Sequence, residues 1–198
     1  MNSTINDINV LHDWPDGFRR NDYHEKLPTR IAYPEENPGL EKITIGYEVT
    51  SEMKSYTWMK LLLAGNVGRD NNTNRSVEDK ARHGMLELPR GKTAQEVVTD
   101  YLRCLHEHIM GHLAEERPGE MMSELDFWFT TPACWDNKAN SLMLECALRA
   151  GFGARVDEKA YLMSEPEAAL IASLSTSIDK HEGIYKVRFF SQTALHPI

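Results

Sequence analysis

Cysteine is scarce in this sequence, and its three cysteines do not form a recognisable metal or redox motif. Cys104, Cys134 and Cys146 include no Cys-x-x-Cys pair, and their odd number argues against a disulfide framework. The first ten residues also lack the basic and apolar regions of a secretion signal, so we expect reduced thiols and a cytoplasmic location. Cys104 and Cys146 fall at helical positions where a small core residue is expected.

Long apolar runs and an excess of basic charge are also missing. No stretch of eighteen consecutive apolar residues occurs in the 198 residues, so no membrane-spanning helix is expected. Acidic residues outnumber basic residues by 30 to 22, which gives a formal net charge of −8. A surface that binds the phosphate backbone of nucleic acid usually carries the opposite sign. We therefore expect neither a membrane nor a nucleic acid as a partner.

Common glycine-containing site motifs are absent as well. The sequence has no Gly-x-Gly-x-x-Gly fingerprint for dinucleotides and no Gly-x-Ser-x-Gly elbow for a nucleophilic serine. Gly91-Lys92-Thr93 resembles the end of a P-loop, but that loop requires a glycine where Leu86 stands. Thr93 is therefore predicted to cap a helix, with Glu96 completing a capping box.

A long amphipathic segment is the clearest local pattern. Apolar residues recur at helical spacing from Val97 to Ile109 and predict a helix over residues 93–113. His108 and His112 lie four residues apart on this helix and could chelate zinc, although no third ligand is evident. A zinc-assisted enzyme is therefore one alternative, and a polar helix face without metal is the competing interpretation.

Short strands are expected before this helix, and a parallel unit is expected after it. Pro132 ends an aromatic strand, Asp136 is a good N-cap, and Gly151 stands where a C-terminal cap belongs. The order strand, helix, strand, helix is typical of a parallel βαβ unit. The predicted strands cover residues 5–11, 28–33, 43–49, 126–131 and 160–163; the other predicted helices cover 55–63, 137–150 and a segment opened by Glu165 and Pro166; residues 65–74 are a predicted loop.

Two ordered motifs between Asp126 and Leu174 resemble those of a known family. The run of a strand, Thr-Thr-Pro-Ala-Cys-Trp, a helix and Ala-Gly-Phe resembles the strand, Thr-Val-Pro-Ala-aromatic, helix and Ala-Gly signature of DnaK-type heat-shock ATPases. The later Ser-Glu-Pro-Glu-Ala-Ala is similar to that family's Asn-Glu-Pro-x-Ala-Ala, in the form typical of its divergent branch. The resemblance extends over residues 5–175, most weakly before residue 120, towards divergent members common in filamentous fungi.

The resemblance implies an α/β fold, namely part of the first lobe of an actin-like (ribonuclease-H-like) ATPase. Residues 1–120 would form a small α+β subdomain containing the helix 93–113. Residues 121–175 would form the βαβ part of the actin-like core. Residues 176–198 match nothing in the family and are expected to be a divergent tail.

The same resemblance assigns roles to three residues and implies ATP and magnesium as cofactors. Pro132 matches the proline that acts as a hinge-switch after the strand. Glu165 matches the glutamate that helps to order the water shell of magnesium, and Lys60 matches the lysine that reaches the attacking water and the γ-phosphate. Phosphoryl transfer to water depends mostly on positioning and charge stabilisation, which suits such residues.

The family's two phosphate-binding loops are not found in these residues. No glycine precedes Asp7, and Gly183 is the only glycine after Ser175. We therefore expect a truncated heat-shock-ATPase-like protein without ATPase activity of its own, which acts through protein partners or clients. The alternative is an ATP-binding fragment of a chaperone ATPase that needs a missing lobe.

Overall fold

The fold has mixed α/β architecture, with two three-stranded sheets and helices packed on them. We describe it from a computed structural model in which residues 10–15, 26–63, 87–116, 125–175 and 187–189 are described. The predicted loop 65–74 and most of the predicted strand 5–11 lie outside these residues, and residues 10 and 11 are not in a strand. The α/β class expected from the sequence is confirmed.

An antiparallel sheet forms the first part of the chain. Its strands are β1 (Arg30–Ala32), β2 (Thr44–Ile45) and β3 (Ser55–Thr57), in the order β2-β1-β3. The strands predicted over residues 28–33 and 43–49 are confirmed in part as β1 and β2, which pair antiparallel. The second strand is shorter than predicted, since Gly46 has φ of +65° and the chain turns there into a short 3-10 helix.

The prediction of a helix over residues 55–63 is wrong in its first half. Ser55–Thr57 is the strand β3, in which Tyr56 lies opposite Ile31 of β1. Trp58 follows with a φ of 59°, a left-handed conformation that separates the strand from the helix after it. Only Met59–Leu63 is helical, and we call this short helix α1.

The long helix α2 (Ala94–Glu116) connects the two sheets, and its capping follows the sequence prediction. The backbone N–H of Glu96 donates to Oγ1 of Thr93 at 3.3 Å, and the N–H of Thr93 donates to Oε2 of Glu96 at 2.8 Å. Thr93 therefore caps the helix in a reciprocal capping box, as predicted. Lys92 pairs with Asp100 at 2.8 Å, so the Gly91-Lys92-Thr93 sequence serves the start of a helix.

A parallel sheet forms the last part of the described chain. Its strands are β4 (Leu125–Thr131), β5 (Glu158–Ser164) and β6 (Val187–Phe189), in the order β5-β4-β6. The helix α3 (Asn137–Ala150) connects β4 with β5, which confirms the predicted parallel unit, and α4 (Glu165–Ser175) follows β5. The side chain of Asp136 accepts from the N–H of Ala139 at 2.8 Å, and Gly151 ends α3 with φ of 115°, as predicted.

One hydrophobic cluster joins the two parts of the fold. Phe152 lies at its centre, with its ring centroid 5.0 Å from those of both Phe127 and Phe129. Cys146 is buried in this cluster and Cys104 packs against it, as predicted for both. Side chains on either side of residue 120 therefore share one core. Among the described residues, no helix is both long and apolar enough to cross a bilayer.

Candidate functional site

The three residues assigned by resemblance come together at the carboxyl ends of β4 and β5. Thr131, the last residue of β4, lies opposite Ser164, the last residue of β5. Pro132 and Glu165 are the next residues in each case, so both follow the same edge of the sheet. Lys60 reaches this edge from α1, far away in sequence. The switch in strand order lies between β4 and β6, where open α/β sheets bind ligands, so Pro132 at the end of β4 borders this position and Glu165 at the end of β5 lies one strand away.

Lys60 makes two contacts at this edge. Its Nζ donates to the carbonyl oxygen of Thr130 at 3.0 Å and lies 5.7 Å from the centroid of the Trp135 ring. Burial lowers the pKa of the Lys60 ammonium below its usual range, and the carboxylate of Glu165 acts in the opposite direction. Thr130, which accepts from Lys60, lies opposite Met163 of β5, two residues before Glu165, so Lys60 and Glu165 are at neighbouring strand ends.

Packing of α1 explains why Lys60 points towards β4. Met59 and Leu63, one turn apart, are both buried, and α1 contacts α2 and α3. The adjacent Lys60 is left at the margin of this contact, where it crosses to the end of β4. A five-residue helix has little stability of its own, so the direction of Lys60 depends on this packing.

The segment after β4 is a tight turn that leads into α3. The backbone N–H of Trp135 donates to the carbonyl oxygen of Pro132 at 3.1 Å, which closes the turn. Trp135 is only 8% exposed, whereas Cys134 is exposed. Pro132 therefore joins the end of β4 to a buried aromatic side chain and to the cap of α3.

The start of α4 contains a capping box that sequence reasoning missed. The N–H and hydroxyl of Ser164 donate to Oε2 of Glu167 at 2.9 and 2.7 Å, and the N–H of Glu167 donates to Oγ of Ser164 at 3.3 Å. These hydrogen bonds lower the pKa of Glu167. The Ser-x-x-Glu spacing could have revealed this box. Since Glu167 supplies the capping carboxylate, Glu165 does not belong to the capping box.

His108 and His112 contact neighbouring protein groups. Nδ1 of His112 lies 3.1 Å from Oδ2 of Asp13, and its Nε2 lies 3.3 Å from Oε1 of Glu116. The ring of His108 is 5.4 Å from that of Trp14, and burial lowers the pKa of His108. Within residues 10–15, 26–63, 87–116, 125–175 and 187–189, no group of three or more potential ligands could hold a metal ion. The zinc alternative therefore gains no support from the described residues.

The residues at the site fit a magnesium–ATP complex only in part. Lys60 supplies a cation suited to a phosphate, and Glu165 supplies a carboxylate suited to magnesium-bound water. Multiply charged phosphates are usually held by clustered backbone amides, often in glycine-rich turns. The turns after β4 and β5, residues 132–136 and 164–167, contain no glycine. The site therefore offers charged side chains without a glycine-rich amide cradle at these turns.

A scan of the chain against protein-family models finds no match, and a search of curated protein sequences finds none either. The arrangement around Lys60 and Glu165 is consequently the main physical guide to function.

Proposed function

We propose that the chain is a heat-shock-ATPase-like, chaperone-type protein of the actin-like class. It keeps part of a nucleotide site but does not hydrolyse ATP by itself, and it acts as an interaction or accessory protein. One observation carries this proposal: Lys60, 105 positions before Glu165 (165 minus 60), donates to the carbonyl oxygen of Thr130 at 3.0 Å, at the strand ends that Pro132 and Glu165 follow. The two motifs that suggested the family contain Pro132 and Glu165, and Lys60 lies outside both.

The absence of independent hydrolysis follows from what the site must stabilise. Transfer of a phosphoryl group to water needs several phosphate oxygens and a metal ion held in fixed positions. Here the ammonium of Lys60 already donates to Thr130, and burial disfavours its charged form. Glycine-rich loops that would hold the phosphates are not found in residues 1–198. Binding of magnesium–ATP is therefore expected to be no tighter than millimolar.

A role in protein interaction is supported by the surface around β5. In the described part of the chain, β5 pairs with β4 on one side and with no strand on the other. The elements that adjoin β5 carry exposed large apolar side chains: Leu148, Val156, Leu170 and Ile171. An unpaired strand edge and exposed apolar side chains each favour association with another polypeptide.

Calorimetry with magnesium–ATP, together with a phosphate-release assay, tests the proposal. We expect no binding tighter than millimolar and no turnover, in wild type and in Glu165→Ala alike. Glu145→Ala is a matched control, because Glu145 is an exposed glutamate on α3 that pairs only loosely, at 3.8 Å, with Arg149. ATP-dependent turnover that is lost in Glu165→Ala and kept in Glu145→Ala would overturn the inactive assignment.

A second candidate is an ATP-binding fragment that another polypeptide segment completes. The position of Lys60 and Glu165 at neighbouring strand ends supports it, because a cation and a carboxylate are available there although the phosphate loops are not found. Reading the coding sequence beyond both ends provides the test. A Gly-Thr-Thr turn upstream and a Gly-Gly-Gly-Thr loop downstream, with micromolar ATP binding by the longer chain, would establish this alternative over the first.

A further inference from the structure

Trp135 stands next to Lys60 and has no role assigned by the resemblance. Its ring centroid lies 5.7 Å from Nζ of Lys60, within the range of a cation–π interaction. We propose that Trp135 is a positioning residue, whose indole ring and the carbonyl oxygen of Thr130 together hold the Lys60 ammonium at the carboxyl end of β4. The positioning stands on its own contacts, and its effect on phosphate binding rests on the proposed function.

The aromatic ring is the fixed partner in this contact. Trp135 is 8% exposed and belongs to the hydrophobic cluster, and its backbone N–H is bound to the carbonyl oxygen of Pro132. Asp136, the next residue, caps α3. The ammonium of Lys60, in contrast, stands at the end of a flexible four-carbon chain. The ring therefore sets the position of the ammonium, and the ammonium does not set that of the ring.

An aromatic face also suits the chemistry of a buried ammonium. An ammonium group has three N–H donors and no acceptor. The carbonyl oxygen of Thr130 takes one donor, and the face of Trp135 attracts the positive charge without accepting a full hydrogen bond. A donor is thereby left for an oxygen on the side of Glu165. An aliphatic side chain at position 135 would remove the cation–π attraction and leave the hydrogen bond to Thr130.

Nuclear magnetic resonance of the lysine side chains tests the positioning without any nucleotide. Protons near an aromatic face are shifted by the ring current, so the ε-methylene signal of Lys60, assigned with Lys60→Arg, should be displaced from those of exposed lysines. We expect Trp135→Phe to keep a displacement and Trp135→Leu to abolish it. A Lys60 signal at the same position in wild type and Trp135→Leu would overturn the proposal.

The smaller side chain in either variant could disturb the core, so the fold is checked separately. Methyl signals of the cluster around Phe152 should remain dispersed in Trp135→Phe, which keeps an aromatic ring at this buried position. If Trp135→Leu does not fold, Trp135→Phe still decides the question. Its smaller ring current should then move the Lys60 signal part of the way towards that of an exposed lysine, and an unmoved signal would overturn the proposal.

Titration with inorganic tripolyphosphate separates this inference from the proposed function. In wild type, millimolar tripolyphosphate should shift the Lys60 signal further. In Trp135→Leu, the concentration needed should rise roughly three- to tenfold, which corresponds to the loss of one cation–π contact. A ring-current effect without any response to tripolyphosphate would confirm the positioning and would count against a phosphate-facing site.

Discussion

Replacing Lys60 with methionine would remove the ammonium group from the end of β4 while keeping an unbranched side chain. The change loses the hydrogen bond to the carbonyl oxygen of Thr130, 3.0 Å long, and the contact with the ring of Trp135. It also removes a charge that the folded protein holds less favourably than water does, as the lowered pKa of Lys60 indicates. These effects oppose each other, so their magnitudes decide the sign of the stability change.

The lost contacts can be compared with the burial of the charge. A hydrogen bond from a charged donor is worth about 1.5–3 kcal/mol, and a cation–π contact about 0.5–2 kcal/mol. Full burial of a charge costs several kcal/mol, and removing the charge of the partly buried Lys60 relieves part of this penalty. Burial lowers the pKa of Lys60 despite the opposing attraction of Glu165, so desolvation outweighs that attraction. We therefore expect Lys60→Met to raise the free energy of unfolding by about 0.5–2 kcal/mol.

Urea unfolding of wild type, Lys60→Met and Lys42→Met measures this difference, since Lys42 is an exposed lysine outside the site. The pH dependence provides a second check. A lowered folded-state pKa means that wild type gains stability as pH rises towards the ordinary lysine value of 10.5, whereas Lys60→Met does not. The gap between them should shrink at alkaline pH. A loss of stability in Lys60→Met that Lys42→Met does not show would refute this reasoning, because Lys60 would then stabilise the fold.

Two further predictions concern the fold that supports the site. Asp136→Ala should lower the free energy of unfolding by about 0.5–2 kcal/mol in urea, because Asp136 caps α3 through the N–H of Ala139, whereas Asp136→Asn should lose much less. Burial also lowers the pKa values of His106 and His108. The stability that these neutral histidines contribute should therefore be fully present above about pH 6.5 and should be lost as the pH decreases. His106→Leu should flatten that acid slope in thermal unfolding; an unchanged slope would show that His106, which packs against Phe152 with ring centroids 4.7 Å apart, does not contribute to it.

Elements with local signals were predictable from the sequence. Asp136 and Gly151 mark the ends of α3, and both act through hydrogen bonds with backbone groups a few residues away. Thr93 and Glu96 do the same at the start of α2. Such signals depend only on neighbouring residues, so a single sequence is enough to interpret them.

Elements that depend on distant pairing were not predictable in the same way. Residues 55–57 read as part of a helix, but Tyr56 pairs with Ile31 across an antiparallel ladder that the local pattern does not specify. The strand β5 is longer than residues 160–163 because it follows β4 over seven paired positions. Trp135 was likewise missed, since only the folded chain brings its ring to the ammonium of Lys60.

A lysine that only stabilises the fold and a lysine that is retained for a ligand should respond differently to replacement. A buried lysine that only satisfied the carbonyl oxygen of Thr130 would be expected to stabilise the fold, and its replacement would lower stability. A lysine kept for a ligand is expected to have the opposite effect, because its charge is disfavoured until the ligand arrives. Lys60 contacts Thr130 and Trp135, and burial lowers its pKa. A gain in stability in Lys60→Met, together with loss of a tripolyphosphate-induced shift of the Trp135 indole signal that wild type shows, would therefore identify a charge retained for binding.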